Sequence, residues 1–236
     1  MKFLKIPAAF FALLCLSACD ESGPCLSGEG DVEARTIDIG SFEGVKVQGS
    51  TKVYIQRGNR QKVEVKGQPN ILDELETNVE SGVWEIGFDR CLRNHETVEV
   101  YITVPELNLA TVSGSGYIEL EDRFRAREFE AAVSGSGDIK GRVDAENLTA
   151  RISGSGTIDL AGAAREQDVR ISGSGSYYAY DLRSERAEVN ISGSGKAQVK
   201  ASDKLDAGIS GSGRVYYKGN PETNSTVSGS GKLIKD

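Results

Sequence analysis

From residue 110 onward the chain alternates apolar and polar side chains with a period of two, and the alternation restarts at near-fixed intervals. The restarts are marked by Ser-Gly-Ser-Gly, which begins at Ser113, Ser134, Ser153, Ser172, Ser192, Ser210 and Ser228, at spacings of 18–21 residues. Val112, Val133, Ile152, Ile171, Ile191, Ile209 and Val227 stand immediately before the seven copies. Two residues earlier come Ala110, Ala131, Ala150, Val169, Val189, Ala207 and Ser225. Ile118, Ile139, Ile158, Tyr177, Ala197, Val215 and Leu233 follow six residues after the Val or Ile. All of these share one parity with the repeat glycines. The serines and charges such as Glu119, Lys140 and Asp159 take the other. Period-two alternation predicts strands with one buried face. A helix is excluded, because paired glycines cost about 1 kcal/mol each in a helix interior.

A repeat of 18–21 residues is too short for a βαβ unit of roughly 30 residues. It suits one coil of a right-handed parallel β-helix-like solenoid, an all-β fold whose coils stack at about 4.8 Å. Glycines then sit where the coil bends or walls approach closely. The serines form an outward ladder able to exchange hydroxyl hydrogen bonds between rungs. An antiparallel sandwich of regular hairpins is the alternative; it accounts less well for one tetrapeptide recurring in one phase.

Residues 31–110 lack the tetrapeptide but alternate over 36–39, 44–47, 51–56, 62–66, 82–86 and 98–104, the last stopped by Pro105. Ile71, Leu72 and Leu75 share one face of a single helical turn, and Trp84, the only tryptophan, reads as core. This part is either a cap or an irregular opening of the same solenoid, since solenoid ends need cover. Residues 111–236 are the repeat solenoid.

The first 18 residues read as a lipoprotein signal: Lys2 and Lys5, an apolar run over 8–16, then Leu16-Ser17-Ala18-Cys19. The run is too short to cross a bilayer as a mature helix. The ending resembles a bacterial lipobox, in which the cysteine, here Cys19, is lipidated and becomes the new N-terminus. Residues 19–30, rich in Gly, Ser and acid, read as a flexible tether. Once Cys15 is removed and Cys19 acylated, Cys25 and Cys91 remain. An extracytoplasmic compartment permits a bridge between them, with two free thiols as the alternative.

Composition narrows the chemistry. The chain carries 28 Lys and Arg against 35 Asp and Glu, a net charge of -7, which argues against nucleic acid as a partner. One histidine and four cysteines leave no material for a zinc site, and no cofactor motif is present. A serine nucleophile needs an adjacent base held by a third group, yet His95 lies far along the chain from every repeat. Asp138, Asp159, Lys140 and Arg151 have outward parity on neighbouring rungs, where a polysaccharide-cleaving enzyme would carry its acid–base pair. Their alternating signs are those of a solvated face. Tyr117, Tyr178, Tyr180 and Tyr216 also point outward and form a candidate face for a glycan or a protein surface.

The order Phe42-Glu43-Gly44-Val45, Val53-Tyr54-Ile55-Gln56, Val63-Glu64-Val65, Gly82-Val83-Trp84-Glu85-Ile86, Ile102-Thr103-Val104-Pro105-Glu106-Leu107 and the first Ser-Gly-Ser-Gly resembles the auto-transporter adhesin head GIN domain family over residues 33–234. The resemblance implies a β-helix-like fold in bacterial envelope proteins, many of them lipoproteins, with no catalytic residues to carry over. Trp84 departs from the smaller aliphatic usual there, and Cys25 and Cys91 lie outside the pattern. The expectation is a non-catalytic, lipid-anchored envelope solenoid that binds or adheres to a glycan or an envelope protein. A structural scaffold is the alternative. The address is the cell envelope, as an outer-membrane or periplasm-facing lipoprotein, with surface exposure open.

Overall fold

The computed structural model describes residues 25–236; the signal segment, Cys19 and the first part of the tether lie outside them. The chain is a parallel β-solenoid of about seven turns. Long bent strands, Tyr117–Gly135, Asp138–Gly154, Thr157–Gly173, Ser176–Gly193 and Lys196–Gly211, each make most of one coil. They pair in parallel with the tetrapeptides in register, so Ser134, Ser153, Ser172, Ser192 and Ser210 stack one above another. A final coil, Arg214–Lys218 with Glu222–Gly229 and Lys232–Lys235, continues the same register.

The inward parity is buried as the alternation requires. Val112, Val133, Ile152, Ile171, Ile191 and Ile209 form one ladder, each at most 3% exposed. Removing such a side chain from water is worth about 1.5–3 kcal/mol, so the ladder is a principal source of stability. The serine ladder differs from the sequence expectation. No serine of this ladder makes a side-chain hydrogen bond, to a rung neighbour or elsewhere, among the described residues. Identical side chains stacked at about 4.8 Å hold like atoms a full rung apart, beyond hydrogen-bond reach.

Two glycines of each tetrapeptide have distinct jobs. Gly154 has φ +121, and a Cβ there would lie 2.4 Å from the carbonyl oxygen of Gly135 on the preceding rung. That same carbonyl accepts from the Ser155 N–H at 2.8 Å, closing the corner. Gly175 has no unusual φ, but a Cβ would lie 2.4 Å from Cγ2 of Ile152. It leaves room at the inner corner for the aliphatic ladder.

The N-terminal part is both a rung and a cap. Gly44–Gly49 pairs in parallel with Leu109–Gly114, so that Gln48-Gly49-Ser50-Thr51 occupies the corner taken elsewhere by the tetrapeptide. Lys52–Arg57 continues this rung against Tyr117–Leu120. The chain then leaves the stack and folds back beyond its own first rung: Val83–Ile86 covers Gly44–Gly49, and Glu99–Val104 covers Lys52–Arg57. Antiparallel Lys62–Gly67 and Glu33–Ile37 finish that end. The reversal ends the parallel ladder with charged outer strands and ion pairs such as Lys66–Glu99, one way to blunt a sheet edge. The one-turn helix Pro69–Leu72 buries Ile71 and Leu72 in the cap. Trp84 is fully buried against Phe42, and its indole N–H donates to the Glu76 carbonyl at 3.0 Å.

Cys25 and Cys91 form a disulfide. Beside it Leu26–Ser27 pairs with Leu92–Arg93, and Asn70 bonds both the Ser27 carbonyl and the Glu29 N–H. Residues 25–30, expected within the flexible tether, are therefore tied to the cap. Their backbone groups find partners there despite a linker-like composition.

Two successive coils carry polar groups inside. Tyr177 takes an inward position filled by Ile139 and Ile158 on earlier rungs, and Gln167 takes that of Phe129 and Leu148. The Tyr177 hydroxyl donates to Gln167 Oε1 at 3.1 Å, Gln167 Nε2 donates to Ser184 Oγ at 2.7 Å, and Ser184 donates to the Lys200 carbonyl at 2.9 Å. Burial holds the Tyr177 phenol well above its ordinary pKa. Tyr177→Phe is expected to lower stability by about 1–3 kcal/mol, because Gln167 Oε1 loses its donor in a dry interior. Adding Gln167→Leu should return part of that loss, which urea titration of both variants checks.

Candidate functional site

Two outer surfaces meet at the tetrapeptide corner. The first is an open trough of about 730 Å³, lined chiefly by carbon atoms, that runs across the rungs from Thr111 to Thr226. One wall is the serine ladder. The other is the column Thr111, Ala132, Arg151, Arg170, Asn190, Gly208 and Thr226, in register through successive strands. At about 4.8 Å per rung the trough is roughly 29 Å long. Its polar side chains are held away from the floor. Arg151 pairs with Glu130 at 2.5 Å, Arg170 with Asp168 at 2.6 Å, and Asn190 donates to Glu188 at 2.9 Å. Gly208 makes space for Asn190, whose Oδ1 would lie 2.4 Å from a Cβ at 208. The result is a smooth carbon floor flanked by serine hydroxyls that make no side-chain hydrogen bond among the described residues.

The second surface follows the corner and carries the tyrosines. The structure brings Tyr178, Tyr180 and Tyr216 to one end and leaves Tyr117 at the other. Tyr178, Gln198 and Tyr216 are consecutive in one register column, with Lys196 Nζ 5.2 Å from the centroids of both tyrosine rings. Lys218 Nζ lies 4.2 Å over the Tyr180 ring, whose hydroxyl donates to Asp236. Burial, then that hydrogen bond, raises the Tyr180 phenol above its ordinary pKa. Tyr117 instead meets Tyr54 edge-on at 6.2 Å, and Tyr54 stacks on Tyr101 at 5.2 Å. Desolvation, then its bond to Glu119 at 2.9 Å, pushes the Tyr117 phenol up to about 12. The Tyr101 hydroxyl donates to Glu99, which pushes that phenol up to about 12 and holds the Glu99 carboxyl below its usual range. Tyr54 and Tyr101 were not among the sequence candidates, although each is flanked by inward Val and Ile in Val53-Tyr54-Ile55 and Val100-Tyr101-Ile102. Their alternation already placed them outward.

The charges considered for an acid–base site are spread over both surfaces. Glu119, Lys140 and Asp159 occupy adjacent rungs of the tyrosine column, with opposite signs in register. Arg151 lies on the trough wall, bound to Glu130. Among the described residues no three His, Cys, Asp or Glu side chains are grouped to hold a metal ion.

A family model described as "Putative auto-transporter adhesin, head GIN domain" matches residues 41–221. A solved "putative adhesin" from Bacteroides fragilis is 20% identical, covers 89% of this chain and 100% of its own, and superposes with a TM-score of 0.82. A "putative lipid binding protein" from Parabacteroides distasonis is 27% identical over 90% of this chain and 100% of its own, with a TM-score of 0.76. A "putative adhesin" from Parabacteroides merdae is 23% identical over 91% and 100%, with a TM-score of 0.75. No curated protein matches the chain in sequence.

Proposed function

Because the chain belongs to the auto-transporter adhesin head GIN domain family, we propose that it is a non-catalytic binding protein of the bacterial cell envelope, anchored through a lipid on Cys19, whose solenoid adheres to a glycan or a protein. The observation that carries this reading is the trough. It offers an extended ligand a carbon floor across seven rungs and a line of serine hydroxyls along one wall. Such a surface suits a polymer that alternates apolar and hydroxyl-bearing faces, as a glycan strand does, or an extended peptide. The ion-paired Arg151 and Arg170 do not converge on a reacting atom. Two or three acyl chains would hold the protein stably at a membrane, where one chain alone is marginal.

The test fills the trough from its wall. Ser172→Trp with Ser192→Trp places two rings on exposed strand positions where the fold tolerates them. Wild-type protein is expected to bind immobilised envelope or host-surface glycans or proteins, and the double variant to bind at least about tenfold more weakly, about 1.4 kcal/mol. Equal binding by the two would move the ligand off the trough. Absence of any binding, or binding to lipid alone, would overturn the reading. Separately, Cys19→Ser is expected to shift the protein from the membrane to the soluble fraction.

A further inference from the structure

Charges stack in register in both senses in this solenoid: Arg151 lies on Arg170, and Asp168, Glu188 and Asp206 occupy successive rungs. Glu119, Lys140 and Asp159 alternate in register, and Arg123–Asp144, Arg151–Glu130 and Arg186–Glu166 bridge adjacent rungs. One of the like-charge columns is cationic and, among the described residues, not bridged to any acid. Lys196, Arg214 and Lys232 lie directly in register on three successive rungs. None of the three pairs with a carboxylate among the described residues, in a chain whose net charge is -7. Lys200 and Lys218 repeat the like-charge pairing a few residues on. Like charges directly opposite are destabilising in a sheet, and at about 4.8 Å they sit well inside the screening length of about 8 Å at physiological salt. The acidic counterparts lie elsewhere. Glu99, Glu119, Asp138 and Asp159 occupy the cap-ward rungs of the same face.

Beside the cationic column stand Tyr178 and Tyr216, on either side of Gln198 in their register column, with Lys196 between the two rings. From these observations we propose that the end of the solenoid farthest from the cap binds an acidic polysaccharide, a polymer of sugar carboxylates. The column supplies one cation per rung, close to the advance of one pyranose along a chain. The tyrosine rings supply flat apolar surfaces for the sugar C–H faces. Carboxylates close in sequence are engaged elsewhere: Asp236 by Tyr180, Asp203 by Arg186 and Asp206 by Lys204. The described chain begins at the cap, beside the Cys25–Cys91 bridge, whereas Lys232–Lys235 lies on a rung at the opposite end of the stack. The column therefore lies at the end of the stack far from the tether. This inference rests on the reading above of a glycan-binding protein and adds a second surface, on the other side of the tetrapeptide corner from the trough.

The experiment measures binding of the purified chain to oligogalacturonate, with dextran as the neutral glycan and phosphatidylglycerol vesicles as the membrane probe. Wild-type protein is expected to bind oligogalacturonate, more weakly as salt rises, and to ignore dextran at this face. Lys196→Gln with Arg214→Gln and Lys232→Gln is expected to weaken that binding at least about tenfold. Lys196→Arg with Lys232→Arg is expected to retain it. Tyr216→Ala is expected to weaken it several-fold while leaving its salt dependence unchanged, which a purely electrostatic surface would not show. Unchanged binding in the triple Gln variant overturns the site. So does tighter binding to the vesicles than to the oligosaccharide. A salt-sensitive dimer that the triple variant abolishes also overturns it, because the acidic cap-ward end of a second copy would then be the occupant. If the site fails while the Ser172→Trp, Ser192→Trp pair still loses binding to another glycan or protein, the broader reading stands.

Discussion

Gly154→Ala is expected to lower the unfolding free energy by about 2–6 kcal/mol, and by more than any serine substitution in the same tetrapeptide. Two costs add. A side chain at φ +121 stores about 1–3 kcal/mol of backbone strain. The new Cβ, 2.4 Å from the Gly135 carbonyl oxygen, forces the rungs apart for about another 1–3 kcal/mol. The neighbour cannot yield, because it is backbone and its oxygen already accepts the Ser155 N–H. Gly49→Ala is the internal control. It too has positive φ, +73, but nothing lies within 4 Å of the place its Cβ would take, so only the left-handed cost of about 1–2 kcal/mol applies. Chemical denaturation of both variants decides the matter. Equal losses would show that rung contact at the corner contributes nothing. Since repeat arrays can lose coils one at a time, hydrogen exchange should also show opening centred on the coils containing Gly135 and Gly154.

Trp84→Ala is expected to cost about 3–5 kcal/mol, the range for emptying a large buried aromatic site. Trp84 is fully buried, touches Phe42 with ring centroids 5.5 Å apart, and satisfies the Glu76 carbonyl. Its strand, Val83–Ile86, is what covers the Gly44–Gly49 rung. Loosening it should uncover a parallel strand edge, and such edges pair with other chains. The variant is therefore expected to associate in a concentration-dependent way before it unfolds, which light scattering beside a thermal melt would reveal. Trp84→Phe should lose less, retaining the ring contact but not the hydrogen bond. A destabilised variant that stays monomeric would mean that the cap is not what protects the edge.

The solenoid was legible because its signal is local and repeated. Parity along each strand fixes which side chains face inward, and an identical tetrapeptide at every corner fixes the register between coils. The burial of Val112, Ile152 and Ile191 and the outward aspect of Tyr117 and Tyr178 follow from those two facts alone. The first rung was harder to see, since Gln48-Gly49-Ser50-Thr51 keeps only the corner glycine and one serine of the tetrapeptide. The Val45 and Val47 alternation before it was the available signal.

The cap was not legible in its order. Nothing in the alternation of residues 83–86 or 99–104 says that they stack outside Gly44–Gly49 and Lys52–Arg57 rather than after them. That choice depends on which chain edge remains open once the first rung has formed, a property of the folded stack. The same holds for the polar core at Tyr177. Its parity was correct, but its partner Gln167 lies ten residues away, and only the bend between them brings the two together.

The sequence by itself determined the class of fold, the inward and outward sets and the repeat that spaces them, because strand periodicity and glycine geometry act over a few residues. The tertiary structure alone decided what the surface offers. It separated Tyr117 from Tyr178 and Tyr216, joined Tyr117 to Tyr54 and Tyr101, and opened a trough between two ladders. It also stacked Lys196, Arg214 and Lys232 in one column. These are relations between residues roughly 18 apart in the chain but about 4.8 Å apart in space, and stacking of the coils creates them.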